Sequence, residues 1–126
     1  MSGLPENMVF TDSHAWLRRD DDGLVTLGVT EFGQSLLGDL VFIQLPEIGA
    51  HMDEGDTVVT LESVKSAWDV LAPVEMTIAE INQELSDQPE RVNEDAFGEG
   101  WLVRVRVNDE LDTLMDADAY RDFTSE

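Results

Sequence analysis

The chain of 126 residues has no cysteine and a single lysine, Lys65. Without cysteine there is no disulfide, no thiolate nucleophile and no thiolate metal ligand. Sulfur redox chemistry would therefore need an added prosthetic group. Basic residues are scarce altogether, seven against 28 acidic ones, for a net charge of −21. Such a charge repels polyanions, which argues against nucleic acid or anionic membranes as partners. It leaves open whether the acidity serves solubility or steers the protein toward basic docking surfaces. No run approaches the ~20 apolar residues of a membrane span. Met1-Ser2-Gly3-Leu4-Pro5-Glu6 lacks the basic region and apolar block of a secretion signal, so the expected setting is the cytoplasm. Apolar residues make up 42% of the chain and are spread along it, so residues 1–126 are expected to form a single domain around one core.

The scarcity of lysine is selective. Six of the seven basic residues are arginine (Arg18, Arg19, Arg91, Arg104, Arg106 and Arg121). Position 65 thus calls for something arginine cannot supply. A primary amine can be acylated to an amide, whereas a guanidinium stays charged and is a far weaker nucleophile.

Strand-like segments recur between turn signals. Residues 15–19 and 24–29 flank Asp20-Asp21-Asp22-Gly23 and read as a hairpin. Thr30 is the expected N-cap of a short helix that Gly38 ends. Residues 40–45 form an apolar strand stopped by Pro46. Asp53-Glu54-Gly55-Asp56 turns into a strand over 57–63, and strands are expected over 66–71 and 74–81. Residues 82–99 read as polar loop with room for one helical turn. Residues 101–107 alternate as a half-exposed strand does. Asp116 is the expected N-cap of a terminal helix with Tyr120 and Phe123 along one face. The prediction is a mainly β domain with short peripheral helices and a C-terminal helix.

Between residues 58 and 73 the pattern is two strands joined by a tight turn, with Lys65 at its tip. A lysine at a hairpin tip is ordinarily a solvated turn residue; here the chain avoids lysine everywhere else. Glu62-Ser63-Val64-Lys65-Ser66 resembles the E-S-V-K-A lipoylation site of the glycine cleavage system H protein family. Ser13-His14-Ala15-Trp16 resembles that family's S-H-E-W. Leu37-Gly38-Asp39-Leu40-Val41-Phe42 is similar to L-G-D-[VIM]-V-[FY], and Leu45-Pro46-Glu47-Ile48-Gly49 to L-P-E-[VL]-G. Asn82 through Asn93 resembles N-x-x-L-x-x-x-P-E-L-V-N, and Gly98-Glu99-Gly100-Trp101-Leu102 resembles G-E-G-W-[LM].

The resemblance implies a lipoyl/biotinyl-type barrel-sandwich hybrid fold and lipoate in amide linkage to Lys65. Biotin carriers favour M-K-M at the tip, so Val64-Lys65-Ser66 points to lipoate. The implied role is a non-catalytic carrier, modified by a lipoate ligase or a lipoyl/octanoyl transferase. Its arm would shuttle aminomethyl groups among glycine decarboxylase, aminomethyltransferase and dihydrolipoyl dehydrogenase. Around the arm the resemblance places Ser13 and Asp69; Glu62 and Trp68, which flank Lys65 on the two strands, are the further candidates. No catalytic or metal residue is expected: His14 and His51 are the only histidines, and neither has a nucleophile or metal-ligand spacing beside it. His14 is expected to be a hydrogen-bonded structural residue and His51 a loop residue.

Three positions depart from the family pattern. Ala15 replaces a glutamate that would pair with a cationic aminomethyl amine, a charge-assisted bond of ~1.5–3 kcal/mol. Trp68 stands where a small residue is usual, either covering the hairpin's apolar face or offering a partner an aromatic anchor. Met76 replaces the glycine of A-P-V-S-G, so that turn is expected to be rebuilt rather than kept at positive φ. These changes keep open an alternative in which an H-like lipoate-binding protein serves a heterodisulfide-reductase-like sulfur-oxidation complex or acts as a lipoyl relay. An unmodified interaction module of the same fold is the third reading.

Overall fold

The structure, a computed structural model, describes residues 8–107, 111 and 114–124. Met1 to Glu6, read above for a targeting signal, lie outside the described residues. Among the described residues nine strands form two antiparallel sheets: β1 (Met8–Phe10), β2 (Ala15–Arg19), β3 (Val25–Val29), β4 (Leu40–Gln44), β5 (His51–Met52), β6 (Thr57–Ser63), β7 (Ala67–Leu71), β8 (Met76–Ile81) and β9 (Val103–Arg106). The larger sheet has the order β1-β2-β3-β9-β8-β5 and the smaller one β4-β6-β7. The described residues also form four short peripheral helices: α1 (Glu31–Leu37), α2 (Glu84–Asp87), α3 (Glu90–Glu94) and α4 (Ala117–Thr124). This is the barrel-sandwich hybrid expected from the resemblance, C-terminal helix included.

The apolar side chains of the two sheets meet in one core that includes Leu17, Leu27, Leu61, Val70, Met76 and Val105. A smaller cluster gathers Met8, Phe10, Trp16, Ala117 and Tyr120. There Phe10 stacks on Tyr120 with ring centroids 4.7 Å apart, docking α4 onto β1. Trp16 is fully buried, and its indole N–H donates to the Ala96 carbonyl at 2.9 Å. Gly28, opposite Trp16 in the ladder, has no side chain because a Cβ there would lie 2.5 Å from Trp16 Cε2.

Strand β9 carries a charged tie at the centre of the larger sheet. The Arg104 guanidinium donates to Glu80 at 3.0 Å, to Asp22 at 2.7 Å and to Asp20 at 3.2 Å, joining β8, β9 and the β2–β3 turn. Burial pushes the Asp20 carboxyl up, but hydrogen bonds from Thr26, Arg18 and Arg104 outweigh it and hold the group below the ordinary aspartate range.

Local chemistry set many boundaries where the sequence placed them. Thr30 Oγ1 accepts from the Gly33 N–H at 3.0 Å, and Asp116 Oδ1 accepts from the Ala119 N–H at 2.8 Å. Four expectations need correction. Residues 82–99 contain two helical segments, α2 and α3, each burying one apolar residue, Leu85 and Val92. Strand β8 starts at Met76, not at residue 74. The short β1 has no counterpart in the sequence reading. His51 lies in β5, paired with Thr77, and not in a loop. Met76 is extended and 1% exposed, so the turn is rebuilt as anticipated. Among the described residues the one non-glycine at positive φ is His14 (φ 70°), which no sequence signal marked. Among them too, no helix is long and apolar enough to cross a membrane.

Candidate functional site

Strands β6 and β7 pair from Thr57↔Leu71 to Glu62↔Ala67 and hold Val64, Lys65 and Ser66 beyond the ladder. The turn is stapled by Ser63. Its N–H donates to the Ser66 carbonyl at 2.8 Å, while its hydroxyl oxygen accepts the N–H groups of Ser66 at 3.1 Å and of Lys65 at 3.3 Å. The backbone at the tip is thereby fixed while its side chains face out. Val64 is 74% exposed, and Lys65 is exposed with no hydrogen bond or ion pair on Nζ among the described residues.

The tip also rests on the body. The Val64 N–H donates to the Asp39 carbonyl at 3.4 Å. Next to it Gly38 ends α1 at φ 82°, ψ −159°, a region open essentially to glycine alone. A Cβ on Gly38 would come 3.2 Å from Lys65 Cε, so the lysine stem passes directly over this bare backbone. Asn93 holds that crossing in place. Its Nδ2 donates to the Gly38 carbonyl at 2.8 Å and to Gln34 Oε1 at 2.7 Å, and its Oδ1 accepts the Leu40 N–H at 2.9 Å. Asn93 lies within a stretch that resembles the family, but no local signal marks its role, because its partners lie more than 50 residues away.

Beside the hairpin stands a group of rings centred on His14. The imidazole centroid lies 4.9 Å from Phe32, 5.8 Å from Tyr120, and 5.9 Å from both Trp68 and Phe123. His14 Nδ1 is 2.8 Å from the Tyr120 hydroxyl, which lies 2.7 Å from Thr30 Oγ1. Burial lowers the His14 pKa, against a smaller upward pull from Asp12. Burial raises that of Tyr120 despite the Thr30 hydrogen bond. His14 is thus the hydrogen-bonded structural residue expected, and burial favours its neutral form. Trp68 packs partly buried against the main core and faces the His14 ring, so it does cover the hairpin's apolar face.

Residues expected around the arm are distributed unevenly. Ser13, its hydroxyl 3.0 Å from Thr11 Oγ1, lines an open cavity of about 530 Å³ together with Phe10, Leu71, Pro73 and Phe123. Asp69 lies on the same face of β7 as Leu71, two residues closer to the tip, and its Oδ1 accepts from Thr60 at 3.0 Å. Glu62 sits opposite Ala67 at the base of the tip. Neither Asp69 nor Glu62 lines the cavity. Ala15 is 1% exposed within the main core, its N–H donating to Thr11 Oγ1. A carboxylate at position 15 would have to be buried there, at a steep desolvation cost.

The model of the family described as "Glycine cleavage H-protein" matches residues 8–126. A glycine cleavage system H protein of Pseudoalteromonas translucida is 48% identical over 122 residues, covering 95% of each chain. One of Shewanella denitrificans is 44% identical over 128 residues, covering 100% of this chain and 99% of its own. The crystal structure of a glycine cleavage system H protein from Mycobacterium marinum superposes with a TM-score of 0.84 at 33% identity, covering 94% of this chain and 97% of that one. None of these relatives bears a name that favours the sulfur-oxidation alternative.

Proposed function

The chain belongs to the glycine cleavage H-protein family, and from that membership we propose that it is a lipoyl carrier modified at Lys65. The observation that carries the reading is the placement of the only lysine: exposed, with a bare amine, on a hairpin tip whose backbone is fixed by Ser63. An amine in that state fits acylation, since no ion pair has to be broken and the ligase meets a fixed shape as well as a sequence. The lipoyl group would supply the redox-active sulfurs this cysteine-free chain lacks, carrying aminomethyl groups from glycine decarboxylase to aminomethyltransferase and electrons to a dihydrolipoyl dehydrogenase.

The chain's own residues do the rest. The stapled tip fixes the root of the arm, so a docked partner receives it from one direction and at a high effective concentration. From Lys65 the outer face of β7 leads past Asp69 to Leu71 and the cavity bordered by Ser13 and Phe123. That cavity is the natural resting place for the arm, and Asp69 is the carboxylate on the way that can meet a cationic cargo. With Ala15 in the core, position 15 offers no carboxylate, and the acidic groups at the cavity itself are Asp12 and Glu54. The protein would work without catalytic residues of its own, in the cytoplasm.

Intact-mass analysis after co-expression with a lipoate ligase tests the modification. One lipoyl group is expected, and Lys65→Arg should abolish it; no gain, or a gain that survives the substitution, refutes the assignment. Glycine–bicarbonate exchange with purified glycine decarboxylase tests the pathway. Absence of exchange with fully lipoylated protein would refute the aminomethyl role while leaving lipoyl carriage intact.

A further inference from the structure

Away from the hairpin, the outer edge of the larger sheet collects an imidazole and two carboxylates on one face. In β5 and β8, His51 lies opposite Thr77 and Met52 opposite Met76. The next residues outward are Asp53 and Glu75. Side chains two apart on a strand share a face, as do directly opposed residues on paired strands. Backbone register alone therefore sets His51, Asp53, Glu75 and Thr77 on the outer face, with Met76 buried on the inner one. The chain at Asp53 is held as well: its N–H donates to Asp56 Oδ2 at 2.8 Å and its carbonyl accepts the Asp56 N–H at 2.9 Å.

The side chains converge on this frame. His51 Nε2 lies 2.8 Å from Glu75 Oε2 and 3.4 Å from Asp53 Oδ1, and one ligand atom from each of the three lies within 4.8 Å of the others. His51 Nδ1 is 3.3 Å from Thr77 Oγ1, the kind of second contact that sets the ring orientation of a metal-binding histidine. Like charges facing each other across a ladder repel. Among the described residues, the ion pairs of Asp53 and Glu75 go only to His51, so no lysine or arginine offsets the two carboxylates.

We propose that His51, Asp53 and Glu75 form a binding site for one divalent transition-metal ion, with Zn²⁺ as the representative. One imidazole nitrogen and two carboxylate oxygens suit zinc, with a fourth position left for water. Ligand atoms at ~2.0–2.2 Å from such an ion stand about 3–3.5 Å apart. The His51–Asp53 pair already has that spacing, and rotation of the exposed Glu75 side chain supplies the third contact. Magnesium and calcium, which favour all-oxygen ligand sets, compete poorly for an imidazole. His51 and Glu75 are separated by 24 residues in sequence, so no short motif announces the site. Its position has a further consequence: Glu54 and Gly55, which follow Asp53, line the 530 Å³ cavity, so the bound ion would brace one wall of it.

The test is calorimetric titration of ZnCl₂ into the lipoylated protein with its dithiolane oxidised, and into the unmodified chain, at about 0.15 M salt with excess Mg²⁺. Both forms should bind one ion, because the site does not depend on Lys65. His51→Gln and Glu75→Gln should each weaken binding at least ~10-fold, whereas Glu47→Gln, which removes an exposed charge elsewhere, should not. Circular dichroism confirms that the variants fold, and the His51 ring resonances should shift on saturation. Absence of saturable binding, displacement by Mg²⁺, or equal weakening by Glu47→Gln would overturn the proposal.

Discussion

Replacing Gly38 by alanine probes the floor beneath the lysine. At φ 82°, ψ −159° an L-residue costs ~1–3 kcal/mol. Relaxation to an ordinary conformation is opposed from three sides. The Gly38 N–H caps α1 by donating to the Gln34 carbonyl at 3.0 Å, its own carbonyl accepts from Asn93, and Asn93 in turn holds Leu40. Turning the peptide would break at least one of these bonds, each worth about 1 kcal/mol, so relaxation saves little. The steric part is small, because the new methyl meets the far end of a flexible lysine at 3.2 Å. The expected loss is therefore about 1–3 kcal/mol. With a urea m-value near ~2 kcal/mol/M, the unfolding midpoint falls by about 0.5–1.5 M at unchanged slope. Equilibrium urea unfolding followed by tryptophan fluorescence measures this directly. A midpoint within ~0.2 M of wild type would show that the backbone at Gly38 is not held as described.

Three further outcomes are expected. Trp16→Phe leaves the Ala96 carbonyl without its buried donor and opens a void beside Gly28, costing ~2–4 kcal/mol in chemical denaturation; a loss under ~1 kcal/mol would contradict that packing. Asp20 has a folded pKa below its unfolded value, so its stabilisation is present above about pH 4 and is lost as pH falls through the folded pKa. Calorimetry from pH 6 downward should show a shallower decline for Asp20→Asn, and identical slopes would refute the linkage. His14, depressed by burial, likewise adds stability that is complete above about pH 6.5 and erodes below it; its ring resonances should titrate below that value, and a midpoint at or above it would refute the assignment.

What could be read from the sequence was local chemistry. Thr30 and Gly38 bracket α1 because a hydroxyl cap and a glycine-only conformation act within one turn of helix. The Lys65 hairpin was legible because two strand-like segments flank a turn too short to do anything else. What could not be read rests on distant partners. β1 and β5, three and two residues long, exist only through their ladders with β2 and β8. The helical segments between residues 82 and 99 are fixed by burial of Leu85 and Val92 rather than by propensity. The positive φ of His14 accompanies packing among Phe32, Trp68, Tyr120 and Phe123, rings brought together from α1, β7 and α4. Ala15 shows the reverse case, a departure visible in sequence whose burial only the fold reveals.

The two sheets differ in when their parts become available during synthesis. The smaller sheet, β4-β6-β7, is drawn from residues 40–71 without interruption by any strand of another origin except the two-residue β5. The larger one has β9 between β3 and β8, so it stays in two pieces until residues 103–106 leave the ribosome. Asn93, which clamps the backbone beneath Lys65, also arrives well after the lysine itself. On a growing chain the hairpin can close early while its footing sets late, and the lysine reaches its final bearing only when the protein is nearly finished.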